Sequence, residues 1–107
     1  MKEVNVEKRA DELLITLVGE IDSGNADAFF NTVSEAFASD SKNLHFVCDG
    51  LAFIDSTTLG AFVKLLKRVR GEGKAMRLSG LQPKIKKLFT ICALDKIIFQ
   101  DLDRLCA

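Results

Sequence analysis

Residues 55–58 read Asp-Ser-Thr-Thr, four polar side chains between the apolar run 51–54 and the Leu-Gly-Ala-Phe that follows. Three of them carry hydroxyls. At the head of a helix such a hydroxyl, or the carboxylate of Asp55, accepts a backbone N–H that has no intrahelical partner. Asp55, Ser56 and Thr57 can each serve as that cap, and one helix needs only one. A small hydroxyl held at the tip of a rigid strand–helix junction is also an accessible site for covalent modification, and the pattern alone does not choose between the two uses. A second polar cluster, Asp22-Ser23-Gly24-Asn25, carries the same capping chemistry ahead of another segment with helical apolar spacing.

Hydrolytic chemistry is the competing use of these residues. A serine nucleophile needs a base, and the base needs an orienting acid, which would enlist His45, Asp55 and Ser56. His45 is the single histidine and sits in the strand-like Leu-His-Phe-Val-Cys, where nothing brings its ring to Ser56. No catalytic residue is assigned, and the chain is expected not to be an enzyme. The glycines of Arg-Gly-Glu-Gly-Lys-Ala (70–75) lack the spacing of a phosphate-binding loop and read as a turn. Cys48, Cys92 and Cys106 are odd in number and far apart, unlike a disulfide scaffold or a zinc site. They read as thiols in a reducing compartment, with no metal and no cofactor implied.

Lys and Arg number 15 and Asp and Glu 15, so no net field points to nucleic acid or to an anionic membrane surface. Lys64, Lys67, Arg68 and Arg70, then Lys84, Lys86 and Lys87, form two basic clusters. No aromatic residue interleaves either one, as a stacking platform for single strands requires. They read as solvated helix faces that also suit a rim contact with a protein partner. The charged, alternating opening has no signal-peptide core, and no apolar run reaches 18 residues. A cytoplasmic protein without membrane insertion is expected. Its 107 residues, 48% apolar and 28% charged, fit one globular domain spanning 1–107.

The elements that must position these groups follow from periodicity. Val4 and Val6 alternate with polar residues, and Ala10-Asp11-Glu12 turns the chain into Leu-Leu-Ile-Thr-Leu-Val (13–18), bounded by Gly19; this predicts a β-hairpin. Ala26, Phe29, Phe30, Val33 and Phe37 mark one helix face, and Leu-His-Phe-Val-Cys (44–48) resumes as a strand that leads through Asp49-Gly50 and 51–54 to Asp55. Leu59, Phe62, Val63, Leu66 and Val69 give the clearest helix. Residues 71–74 stop it, 75–79 form a strand, and Pro83 opens a helix through Ile85, Leu88, Phe89 and Cys92. Residues 97–99 predict a short strand and 101–107 a last helical turn or two. The order gives an α/β fold: a mixed, mainly parallel sheet that starts with a hairpin and carries its helices mainly on one face.

Three stretches, Gly-Glu-Ile-Asp-Ser-Gly-Asn-Ala (19–26), residues 53–81 beginning Phe-Ile-Asp-Ser-Thr-Thr-Leu-Gly, and residues 83–99, resemble a STAS domain of the stand-alone bacterial anti-sigma factor antagonist type. The resemblance spans nearly the whole chain. It implies a partner-switching regulator of sigma-factor-dependent transcription that binds an anti-sigma factor when unmodified. That partner, a serine kinase with a histidine-kinase-like ATPase fold, phosphorylates the serine matching Ser56, and a PP2C-type phosphatase reverses the step. It also sets the loop of Asp22, Ser23 and Asn25 beside Asp55, Ser56, Thr57, Thr58 and Leu59 on the partner-facing edge. The chain departs from the family at Thr58, where a glycine or another small residue is usual, and at Val47, where Asp or Asn is usual. Threonine at 58 is expected to stand at the mouth of the site, which leaves an unmodified interaction subunit of a stress scaffold or a lipid transporter as the alternative.

Overall fold

The computed structural model describes residues 1–91. The strand expected at 97–99, the turns at 101–107 and the thiols of Cys92 and Cys106 lie outside the described residues. β1 (Val4–Lys8) and β2 (Glu12–Ile21) pair antiparallel, with Val4 opposite Leu17 and Lys8 opposite Leu13. The chain then alternates: α1 (Ala26–Ser39), β3 (Asn43–Ile54), α2 (Ser56–Gly71), β4 (Met76–Ser79) and α3 (Pro83–Ile91). β3 is parallel to both β2 and β4, which gives the sheet order β1-β2-β3-β4. Parallel neighbours require crossovers, and α1 and α2 supply them. This is the mixed sheet with a hairpin start that the order of elements predicts.

Leu13, Ile15 and Leu17 of β2, Leu44, Phe46 and Cys48 of β3, and Met76 and Leu78 of β4 are buried at alternate positions. A strand turns successive side chains to opposite faces, so these residues share one face of the sheet. The helices cover it with Phe29, Val33 and Phe37 of α1, Leu59, Phe62, Leu65, Leu66 and Val69 of α2, and Ile85 and Phe89 of α3. In α2 the buried stripe takes in Leu65, while Val63 is only half-buried. The Phe62 ring lies 5.1 Å from Phe29, 5.3 Å from Phe46 and 5.5 Å from Phe89, centroid to centroid. Tilted and edge-on, the arrangements that aromatic quadrupoles favour, these contacts join three helices and the central strand through one ring. Cys48 is closed in the same core, where burial first and the charge of Asp49 second push its thiol up to about 12. It is an inert thiol at neutral pH.

Both long strands run further than their composition suggests. β2 continues through Gly19 to Ile21, and β3 passes Asp49-Gly50 without a break to Ile54. Their ladder shifts register twice, between Thr16 and Val18 and between Gly19 and Glu20, and still ends with Ile21 opposite Ile54. Gly19 sits between the two shifts with φ of +76°, a conformation that side-chain-bearing residues avoid. It lets the strand absorb the irregularity and stay paired. At the far end of α2, Gly73 at φ +73° donates to the Arg70 carbonyl at 3.0 Å and Lys74 to that of Val69 at 3.0 Å. That pair of bonds closes the helix as a Schellman motif, the stop expected of this glycine-rich stretch.

Phe62→Ala is expected to lower stability by about 3–5 kcal/mol, because it opens a cavity where four elements meet. Phe53→Ala, whose ring is 46% exposed, is expected to change it by no more than about 0.5 kcal/mol. Urea unfolding measures both, and an unshifted midpoint for Phe62→Ala would contradict the ring's central place.

Candidate functional site

β2 and β3 end side by side, since Ile21 pairs with Ile54. Each strand then feeds a helix, β2 through residues 22–25 into α1 and β3 through Asp55 into α2. Two helix entries therefore meet at the carboxyl end of adjacent parallel strands, the edge of an α/β sheet where ligands and partners are met. Asp55 is the N-cap of α2, in extended backbone conformation. One carboxylate oxygen, Oδ1, accepts the Thr58 N–H at 3.1 Å, and the other, Oδ2, accepts the Ser23 N–H at 2.9 Å. A single side chain thus caps one helix and holds the loop that opens the other. The Thr58 N–H above all holds the Asp55 carboxyl below its ordinary value; desolvation opposes it, and the Ser23 N–H, the Thr58 hydroxyl and the Thr57 N–H add to the lowering.

The loop at 22–25 is internally bonded as well. Asn25 accepts the Asp22 N–H through Oδ1 at 2.8 Å and donates through Nδ2 to the Glu20 carbonyl at 3.0 Å. Asp22 accepts the Gly24 N–H at 2.9 Å, and its carbonyl accepts the Ala26 N–H at 2.7 Å. Asn25 occupies the N-cap position of α1 but makes no side-chain cap bond. Its amide shapes the loop instead, a role that the capping pattern in the sequence does not reveal.

Ser56 is the first residue of α2 and is exposed, as are Thr57, Ser23 and Gly24; Asp22, Asn25 and Asp55 are half-buried. Thr58 and Leu59 are not on this surface. Thr58 is fully buried, its hydroxyl hydrogen-bonded to the Ile21 carbonyl and 3.1 Å from Asp55 Oδ1, and Leu59 is in the core. The expectation of a threonine at the mouth of the site is corrected: its β-branched side chain points inward and ties the end of β2 to the start of α2. The side chains open to a partner are Ser23, Ser56 and Thr57, with the exposed parts of Asp22, Asn25 and Asp55.

No triad forms with Ser56. The His45 ring is committed elsewhere, with Nε2 2.8 Å from Ser79 Oγ on β4 and Nδ1 3.7 Å from Glu12, which also accepts from Arg77 at 3.2 Å. Burial and then the Arg77 charge lower the His45 pKa, with Glu12 opposing. Reasoning from sequence missed Phe53 and Val18 as exposed apolar side chains near this edge, at 46% and 42%. Both lie in apolar runs that resemble core strand, yet Val18 follows the buried Leu17 and Phe53 precedes the buried Ile54, so strand alternation turns each to the sheet face opposite the core.

Thr58→Val keeps the shape but strands the Ile21 carbonyl, and is expected to cost about 1–3 kcal/mol. Thr58→Ser is expected to recover most of it, as read by urea unfolding. The depressed Asp55 pKa stabilises the fold above the unfolded-state value of about 3.9, and that contribution is lost as pH falls through the lower folded value. Asp55→Asn is therefore expected to be less stable than the parent at pH 7, with the gap closing below about pH 4. A gap that widens in acid would contradict the clamp.

Comparisons with known proteins bear on the family and the fold. The STAS domain family matches residues 3–105. The anti-sigma-B factor antagonist of Bacillus subtilis (strain 168) is 28% identical over 95 residues, 89% of this chain and 86% of that protein. The Bacillus cell fate determinant SpoIIAA in its phosphorylated form superposes with a TM-score of 0.72 at 18% identity, over 95% of this chain and 98% of that one. The anti-sigma factor antagonist SpoIIAA in its unphosphorylated form gives 0.70 at 19% identity, over 81% of each chain. These two likenesses are of fold. With the family match running almost end to end over the same hairpin, sheet order and strand–helix junction, this chain belongs to the STAS domain family.

Proposed function

We propose that the protein is a cytoplasmic anti-sigma factor antagonist that works by partner switching. With Ser56 unmodified it binds an anti-sigma factor and so frees a sigma factor; with Ser56 phosphorylated it lets go. The anti-sigma factor is itself the serine kinase, an ATPase of the histidine-kinase-like fold, and a PP2C-type phosphatase restores the serine. The observation that carries this reading is the exposed Ser56 hydroxyl at the first position of α2, on a junction already capped by Asp55. The hydroxyl is not needed to start the helix, so it is available to a modifying enzyme. The name of the Bacillus subtilis relative supports the same reading.

The switch follows from charge and hydration. Phosphate adds about −1.5 to −2 charges at neutral pH. Within its own chain it meets a helix N-terminus, where backbone N–H groups and the dipole favour an anion. A partner closing over Ser56 meets added bulk and a group that is costly to strip of water. The fold tolerates the modification and the complex does not. Of the two departures behind the alternative of an unmodified interaction subunit, Thr58 faces the core and leaves the approach to Ser56 open, while Val47 lies half-buried on β3 opposite Ser79.

Incubation with the cognate ATPase and ATP, followed by peptide mass spectrometry, is expected to place one phosphate on Ser56. Ser56→Ala is expected to keep partner binding, shift stability by no more than about 0.5 kcal/mol and accept no phosphate. Ser56→Asp is expected to weaken the complex in part. Phosphate appearing on Thr57 of the Ser56→Ala protein would move the site and refute the assignment.

A further inference from the structure

The charges of this neutral chain are sorted along it. Residues 1–55 hold eleven Asp and Glu against four Lys and Arg, whereas residues 56–91 hold nine Lys and Arg against one acidic residue, Glu72. Of the nine, Arg77 is half-buried and paired with Glu12, and Arg70 and Lys86 are engaged within the chain. Lys64, Lys67, Arg68, Lys74, Lys84 and Lys87 are exposed, and among the described residues none of these six pairs with a carboxylate. Lys64 and Arg68 are nonetheless held in place, 5.7 Å and 5.8 Å from the ring centroids of Phe30 and Phe37 on α1. A cation resting on an aromatic face is positioned without being neutralised.

Arg68 and Arg70, in the last turn of α2, suit the helix dipole, but Lys64 and Lys67 in its middle do not serve the helix that carries them. Lys64 and Arg68 are four residues apart, and Lys64 and Lys67, like Lys67 and Arg70, are three apart, so like charges face each other along α2. Such pairs destabilise a helix by a few tenths of a kcal/mol each, where mixed signs would support it. The stripe starts at the candidate site: Ser56, Gly60, Lys64 and Lys67 follow one another at steps of four and three on one face of α2. At 1.5 Å per residue, Lys64 stands about 12 Å and Lys67 about 16 Å along the helix from Ser56. A protein burying about 800 Å² on this side while covering Ser56 reaches both. Gly60, with open space where a Cβ would be, puts no bulk between the serine and the lysines.

We infer that the basic stripe of α2, from Lys64 through Lys67 and Arg68, is the second half of the partner interface and fits an acidic protein surface. The inference rests on the antagonist reading above and adds the chemistry of the partner. Asp55 and Asp22 beside the serine keep their charge, with oxygens bonded to the Ser23, Thr58 and Gly24 N–H groups, so the attraction for such a partner comes from the cations further along α2. An acidic partner also explains why a phosphate dianion at Ser56 is an effective release signal: it places like charge against like at the end of the stripe. The stripe carries no exposed aromatic residue to stack on bases, which favours protein over single-stranded nucleic acid.

Stopped-flow association of the full-length protein with its anti-sigma factor, at low and at high salt, tests this. The triple variant K64E/K67E/R68E, shown to be folded by its circular dichroism, is expected to associate at least about 10-fold more slowly at low salt and to lose most of the salt dependence. K64Q/K67Q/R68Q is expected to fall between. An unchanged association rate and salt slope in the triple variant overturns the inference while leaving the antagonist reading in place. No binding of any anti-sigma factor by the parent protein fails the antagonist reading and this inference together. Retention of a fluorescent 30-base-pair duplex or poly(U) by the parent, lost in the variant whose protein complex is unaffected, overturns it in favour of a nucleic-acid surface.

Discussion

A parallel ladder that stays paired to its last residues, Ile21 opposite Ile54, decides where everything else at the site can be. It puts two helix entries within one side chain's reach, and the Asp55 carboxylate spans them. Without that pairing, Asp55 would be an ordinary cap and residues 22–25 an ordinary turn. With it, the buried Thr58 hydroxyl bonds to the Ile21 carbonyl from the core side while Asp55 holds Ser23 from the solvent side. Ser56 is then presented on a frame bonded both above and below. A modifying enzyme or a docking partner meets a preorganised edge, and little ordering entropy has to be lost on binding.

In the proposed switch, the same frame would keep a charge added at Ser56 local. The core behind the edge is closed by Phe62 against Phe29, Phe46 and Phe89, and close-packed interiors do not deform continuously. The dianion has a favourable place at the helix N-terminus, so nothing pushes the sheet to rearrange. Release is then a matter of what the partner meets. In the proposed switch, position adds to this: α2 carries Ser56 at its head and exposed lysines along its side, so one helix would both dock the partner and report the modification.

Much of the fold was legible in the sequence, because amphipathic spacing and turn chemistry are local. Phe29, Val33 and Phe37 spell out α1, the glycines at 71 and 73 mark the end of α2, and Pro83 opens α3. The pairing of the 22–25 loop with the Asp-Ser junction was legible only through family resemblance, since no local pattern carries contacts across 32 residues. What could not be read was set by register and by distant carbonyls. Asp55, Ser56 and Thr57 are all competent caps, and the choice of Asp55 depends on a Ser23 N–H supplied by another element. Thr58 seemed to face the site because its partner, the Ile21 carbonyl, is 37 residues away. Phe53 belongs to an apolar run that reads as buried strand, and only the strand's phase, with Ile54 on the core face, shows that Phe53 points to the opposite one.

The central claim is that Ser56 sits on a frame that stays fixed while its charge changes. Comparing backbone amide spectra of the unmodified protein and of protein fully phosphorylated at Ser56 tests it most directly. The account predicts shifts concentrated at residues 22–26 and 53–60, with the amides of β1, β4 and the body of α1 unmoved. Shifts spread across the whole sheet would contradict it, since they would mean that the modification acts by refolding the domain rather than by changing the surface a partner meets.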